Sequence, residues 1–236
     1  MIEKRMYEVN GKTVHTWNPF VGCCHDCIYC YAVDIAKRQK HRCQSCYEFV
    51  PHMHNERLKK QFGADGTVFV CSMGDISFST HDQFSDILWV IEHKPKVTFL
   101  IQSKNPLFFA EYEETQGRIA HNVVLGTTLE TDMYKSATPI SYAPMPELRY
   151  KAMKKIDHPR KYVTIEPIME FDIAIMVKWI QKIAPEFVYL GYNSKDSKNH
   201  HLPEPSSDST EELIAELEKI TEVRRKLIRN AWWEKK

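Results

Sequence analysis

No cysteine follows position 71 in this chain of 236 residues, although seven lie at or before it. A disulfide framework would spread its cysteines along a small secreted protein, so clustering in one third of a long chain points instead to metal ligation. Charge of one sign is lacking too. The 32 basic and 31 acidic residues leave a net charge of +1, which gives no chain-wide footprint for nucleic acid and leaves room only for a local basic cleft. No window holds eighteen apolar residues in a row, so no membrane span and no membrane partner are expected. The opening segment MIEKRMYEVNGKT is polar and lacks the apolar core of a signal peptide, which makes the cytoplasm the expected compartment. What is present is a hydrophobic fraction of 43%, enough for a sizeable core in one large α/β domain or two small ones.

Short β-rich runs alternate with helical patterns. Strands are expected over 12–17, 67–72, 96–103, 122–130, 161–168 and 186–193, each near-continuously apolar, as parallel strands buried on both faces are. Helices are expected over 31–40, 81–93, from about Pro106, 145–156 and 171–184, with a long last helix over 209–230 capped by Ser209 or Thr210. Six strand-then-helix units demand parallel crossovers, and both an open doubly wound sheet and a partial barrel satisfy the pattern. In both, ligands bind where the strands finish. The polar residues there are Ser72, Asp75, Ser103, Lys104, Thr127, Thr128, Glu130, Glu166, Tyr192 and Asn193. Two connections, 41–65 and 194–208, exceed the usual length of loops in compact domains, which marks them as functional or mobile.

The stretch NPFVGCCHDCIYCYA carries four cysteines, and two triads can be read from it. Cys24, Cys27 and Cys30 begin a ferredoxin-type run, but its fourth position is Asp34, so the run is broken. Cys23, Cys27 and Cys30 give C-x3-C-x2-C, three thiolates for a four-iron cube whose last iron stays open for chemistry. Zinc completed by His25 or Cys24 is the competing ligation. A further pair, Cys43 and Cys46, has His41, His52 and His54 nearby and is a candidate second site, against an ordinary insertion with free thiols. Cys71, inside an apolar run, reads as a small core residue. Lys104 and Glu166 alone could equally be solvated loop charges. RRKLIR reads as one solvated helix face and AWW at 231–233 as packing for the last helix.

The spacing C-x3-C-x2-C after a first strand, with Tyr29 before the last cysteine, resembles the radical S-adenosylmethionine (SAM) superfamily. The wider stretch TWNPFVGCCHDCIYCYA is similar to spore photoproduct lyase-like proteins and to the phage-associated Gp37/Gp68-like family. VFVCSMGDIS, FLIQSKNP, NVVLGTTLE and YVTIEPI also resemble the Gp37/Gp68-like pattern, so the likeness runs from about residue 15 to 193. It implies a partial (β/α)6 TIM-type barrel, a [4Fe–4S] cluster on Cys23, Cys27 and Cys30, and reductive cleavage of SAM to a 5′-deoxyadenosyl radical. It implies an electron donor such as a flavodoxin or ferredoxin, and a substrate that is nucleic acid or a small molecule. By position, Ser72, Met73, Gly74 and Asp75 match the second-strand segment that receives the SAM amino group. Ser103 and Lys104 match the third-strand position, with Lys104 meeting the SAM carboxylate, while Thr128, Glu130 and Glu166 fall to ribose hydroxyls or substrate. The likeness also carries a narrower alternative, a pyrimidine-dimer lyase acting on DNA. Outside it stands a non-catalytic zinc or Fe–S binding interaction domain.

Overall fold

The computed structural model describes residues 8–9, 12–133, 140–194 and 201–234. Seven strands form one parallel sheet: β1 His15–Trp17, β2 Gly66–Val70, β3 Val97–Gln102, β4 Val123–Thr128, β5 Lys161–Ile165, β6 Phe187–Leu190 and β7 Glu222–Arg225. Each strand pairs with the one before and after it in the chain. That sequential order settles what the hydrophobic pattern left open. A doubly wound sheet reverses its strand order at a switch point, and this one never does. The sheet curls into a half-barrel flanked by helices.

The helices are α1 Tyr31–Ala36, α2 Gln44–Glu48, α3 His81–Glu92, α4 Leu107–Gln116, α5 Pro146–Lys155, α6 Ile173–Ile183 and α7 Ser207–Glu218. Their starts follow local chemistry. Thr80 and Gln83 form a reciprocal capping box on α3, and the Asp172 carboxylate accepts from the Ile175 amide at the start of α6. None of the described helices is long and apolar enough to cross a membrane.

Period-two alternation divides the strands between two cores. Val97, Phe99 and Ile101 of β3, Val123 and Leu125 of β4, and Val163 and Ile165 of β5 face the helices in the main core. Their neighbours Leu100, Val124 and Tyr162 join Val14, Phe69, Phe187 and Tyr189 on the concave face. The concave face is therefore apolar low in the barrel. It turns polar toward the strand ends, where Gln102, Thr128, Thr164 and Glu166 continue the same alternation.

The expected last helix needs correction. Ser206, not Ser209 or Thr210, caps α7, its hydroxyl accepting from the Ser209 amide. The helix stops at Glu218, and the chain turns into β7. Leu213, Ile214 and Leu217 are buried against the barrel, but beyond them β-branched Thr221 and Val223 favour an extended strand that completes the sheet edge. RRKLIR is thus no helix face. Arg224 and Arg225 lie in the edge strand, where charges discourage pairing with other chains, while Lys226 and Arg229 beyond it pair with Glu166 and Glu204. At AWW, Ala231 is buried in the core cluster that also holds Leu213, Ile214 and Leu217, while the Trp232 and Trp233 indoles donate to the Leu202 and Glu204 carbonyls. Much of the 194–208 connection, residues 195–200, lies outside the described residues.

Candidate functional site

The chain leaves β1 at Trp17 and is at once pinned to the end of β2. The Asn18 carboxamide oxygen accepts from the Ser72 hydroxyl and the Met73 amide, at 3.0 and 3.1 Å. Phe20–Val21 then pairs antiparallel with His52–Met53. Gly22 has φ +93°, and a Cβ there would lie 2.2 Å from the Val50 carbonyl oxygen, so only glycine fits. The cysteine loop follows. Cys23, Cys27 and Cys30 are half-buried and border one cavity, whereas Cys24 is exposed and does not border it. The His25 amide lies 3.4 Å from the Cys23 sulfur, and the Cys27 sulfur lies 3.1 Å from the Ser141 hydroxyl. Burial, then the charges of Asp75, Cys27 and Cys30, push the Cys23 thiol well above its ordinary range. Burial likewise raises Cys30, against the pull of the Val33 and Ala32 amides at the start of α1.

Two buried carboxylates organise the wall opposite. Asp75 Oδ1 accepts from the Ser103 hydroxyl at 2.6 Å and from the Ser77 hydroxyl and amide; Oδ2 accepts from the Lys104 amide at 2.8 Å and faces His25 Nε2 at 3.1 Å. Burial pushes this carboxyl up, but the hydrogen bonds from His25 and Ser103 outweigh it and hold it at about 2. Glu130 Oε2 accepts from Arg149 at 2.7 Å, and Oε1 accepts from the Tyr29 hydroxyl at 2.6 Å and from the Lys104 ammonium. Burial would raise Glu130 too; Arg149 and Lys104 hold it well below the usual carboxylate range. On the far side, Glu166 Oε2 meets the Lys226 ammonium at 2.6 Å.

The cavity opens at the C-terminal ends of the strands. At its base the Tyr162 ring lies directly over Gly126, where a Cβ would come within 2.3 Å of the ring. Among the described residues the buried Tyr162 hydroxyl has no hydrogen-bond partner. Higher up, Gln102 donates to the Thr128 hydroxyl and accepts from Thr164.

A family model described as "Protein of unknown function (DUF5131)" matches residues 11–191. The chain belongs to that family. A comparison with curated proteins finds no match. The DUF5131 region takes in β1 to β6, both cysteine groups, Asp75, Glu130 and Glu166, while α7, β7 and Lys226 lie beyond it.

Within this DUF5131 domain, Tyr29, Ser72, Gly74, Asp75, Ser103, Lys104, Thr128 and Glu166 border the cavity. Met73 does not, and its carbonyl instead accepts from the Gly22 amide. Glu130 lies behind Lys104, buried from the cavity. Asp75 borders the cavity, but its role differs from the expected ligand contact. Two carboxylate oxygens offer about four lone-pair sites, and five donors already claim them, so the carboxylate ties the cysteine loop to β2 and β3. Ser103 is drawn into the same knot: its hydroxyl donates to Asp75 and accepts from the Asn105 amide, which leaves it no proton for a ligand. Cys71 sits just past β2, buried, its thiol pushed up to about 12 by burial, in keeping with a core residue. Arg149 and Lys226 escaped the sequence reading, and His25, read there only as a possible fourth zinc ligand, instead faces Asp75. Only Lys226 left a signal, as a cation in a run assigned to the wrong element.

Proposed function

We propose that this chain is a radical SAM enzyme whose single [4Fe–4S] cluster is held by Cys23, Cys27 and Cys30. The observation that carries the reading is the sorting of four neighbouring cysteines. The three of the x3/x2 spacing border the cavity at the strand ends of a sequential parallel half-barrel, and Cys24 turns to solvent. Three thiols suit a cube that keeps one iron open, and the Tyr162 hydroxyl, without a partner among the described residues, favours a polar ligand in the cavity. Held by Cys23, Cys27 and Cys30 and reduced by a flavodoxin- or ferredoxin-type donor, such a cluster would supply the electron for reductive cleavage of SAM and so the radical chemistry.

The chain's own residues bind, orient and exclude water. The raised thiols of Cys23 and Cys30 give up protons as metal binds, so loading is linked to pH. Lys104 gives two hydrogens to Tyr29 and Glu130 and keeps a third for the carboxylate of SAM. Glu166 keeps Oε1 for a ribose hydroxyl while Lys226 holds Oε2. Phe69, Leu100 and Tyr189 keep the lower cavity apolar and dry. The test is iron per chain in four single variants. Cys24→Ala retains iron, and Cys23→Ala, Cys27→Ala and Cys30→Ala lose it. Loss of iron from Cys24→Ala with retention in Cys23→Ala would reverse the assignment.

A further inference from the structure

The 41–65 connection folds into a compact knuckle. Cys43 opens α2, and its sulfur lies 3.5 Å from the Cys46 amide. Phe49 ends the helix in a left-handed conformation, and the chain returns through His52–Met53. The ligand atoms of Cys43, Cys46, His52 and His54 all lie within 4.8 Å of one another. His52 Nε2 stands 3.6 Å from the Cys43 sulfur, 3.4 Å from the Cys46 sulfur and 2.9 Å from His54 Nε2; Cys46 and His54 are 3.1 Å apart. A zinc ion with Zn–S of about 2.3 Å and Zn–N of about 2.0–2.1 Å at tetrahedral angles separates S from N by about 3.5 Å and N from N by about 3.3 Å. Those four spacings match these figures to within about half an ångström. His41, also in this connection, is not part of the group.

The tautomers agree. His52 Nδ1 faces the Val50 carbonyl at 2.7 Å, and His54 Nδ1 faces the Glu56 carboxylate at 2.8 Å. Both partners only accept, so both Nδ1 atoms carry the proton, and both Nε2 atoms turn lone pairs toward each other. A cation at the common centre converts that repulsion into ligation, and the two Nδ1 bonds are the outer-shell contacts that fix metal-bound imidazoles. A two-iron cluster would hold the cysteines and the histidines on different irons, too far apart for these S–N distances. Four thiolate and imidazole ligands around one point leave no open position, which is the form of a structural zinc site.

The knuckle is stitched to the loop that precedes Cys23. The His54 amide donates to the Pro19 carbonyl at 2.6 Å, the Cys23 amide donates to the Phe49 carbonyl at 3.2 Å, and His52 pairs with Val21. We propose that Cys43, Cys46, His52 and His54 bind one zinc ion, and that this ion clamps the segment on which the Cys23 loop is built. The clamping half rests on the cluster reading above; the zinc half does not.

The experiment is zinc and iron analysis of the chain purified from zinc-supplemented cells, before and after anaerobic iron–sulfur reconstitution. About one zinc per chain is expected in the wild type and in the Cys23→Ala/Cys27→Ala/Cys30→Ala variant, with zinc lost from Cys46→Ser and from His54→Ala. Zinc absent from the wild type, or lost only from the triple variant, or retained in both Cys46→Ser and His54→Ala, overturns the site. Should those two variants not fold, the Cys23→Ala/Cys27→Ala/Cys30→Ala variant stripped of metal and titrated with Co(II) gives the answer. The intense visible bands of tetrahedral thiolate-bound cobalt support the site, and the weak bands of octahedral cobalt overturn it. Losing an inner ligand should cost more than the ~10–100-fold in metal affinity that an outer-shell partner is worth. Iron loading of His54→Ala is expected to fall with its zinc. Unchanged iron loading removes the clamp and leaves the zinc. Wild type that holds zinc but never takes up a cluster defeats the cluster reading alone.

Discussion

Replacing Asp75 with Asn probes the knot that holds the cysteine loop to the barrel. The residue is 5% exposed, so solvent cannot repair what the change removes. Asn keeps the shape but turns one acceptor into an NH2 donor. With its oxygen toward Ser77 and Ser103, that NH2 meets the Lys104 amide at 2.8 Å, a donor with no alternative tautomer. A hydrogen bond to a charged group is worth about 1.5–3 kcal/mol, and the bonds that survive lose their charge assistance. Linkage gives a second figure. Lowering the carboxyl from 3.8 to about 2 corresponds to roughly 2 kcal/mol in favour of the charged form. Asp75→Asn should therefore lose about 2–4 kcal/mol at neutral pH. Because the folded pKa is depressed, the contribution is complete above the unfolded value of 3.8 and is lost as pH falls toward about 2. The gap between wild type and variant should narrow over that window, other carboxylates being common to both. Urea unfolding followed by tryptophan fluorescence at neutral pH and near pH 3 measures both. A neutral-pH loss within the ~0.5 kcal/mol typical of exposed positions, or a gap that widens on acidification, would refute the reasoning.

Glu130→Gln leaves Arg149, 2% exposed, as a buried charge without its partner, so it should destabilise by about 3–5 kcal/mol in the same assay. Changing Glu130 and Arg149 together to apolar residues should recover much of that loss. Lys104→Met should weaken SAM binding tenfold or more, the equivalent of about 1.5–3 kcal/mol for one charge-assisted hydrogen bond, measured by equilibrium dialysis on reconstituted protein. Gly126→Val should drive the Tyr162 ring into the cavity and reduce SAM affinity with little loss of iron, since the substitution lies below the cysteine loop.

Much of the fold was legible because parallel strands advertise themselves. VTFLIQ and VVLGTT are apolar on both faces, bounded by turn residues, and interleaved with capped helices. The choice between barrel and doubly wound sheet was not legible, because it lies in strand order, a property of pairing between segments rather than of any segment. β7 was hidden for a related reason. Ile220, Val223 and Leu227 continue the helical spacing of Leu213 and Leu217, and only pairing with β6 overrides that local pattern. In the site, cysteine spacing separated Cys24 from its neighbours, as its exposure agrees. Asp75 was placed at the cavity but read as a ligand contact, since its partners His25 and Ser103 stand 50 and 28 residues away and their convergence leaves no mark in sequence. Arg149 is one basic residue among several on α5, and nothing local distinguishes it from Lys151 or Lys154.

The central claim is tested most directly by product. The chain is reconstituted anaerobically, reduced with dithionite and incubated with SAM, and 5′-deoxyadenosine is quantified against Cys30→Ala treated alike, with cell extract added in a parallel arm to supply substrate. The account predicts 5′-deoxyadenosine from the wild type and none from Cys30→Ala. A wild-type protein with a complete cluster that forms no 5′-deoxyadenosine in either arm would contradict it.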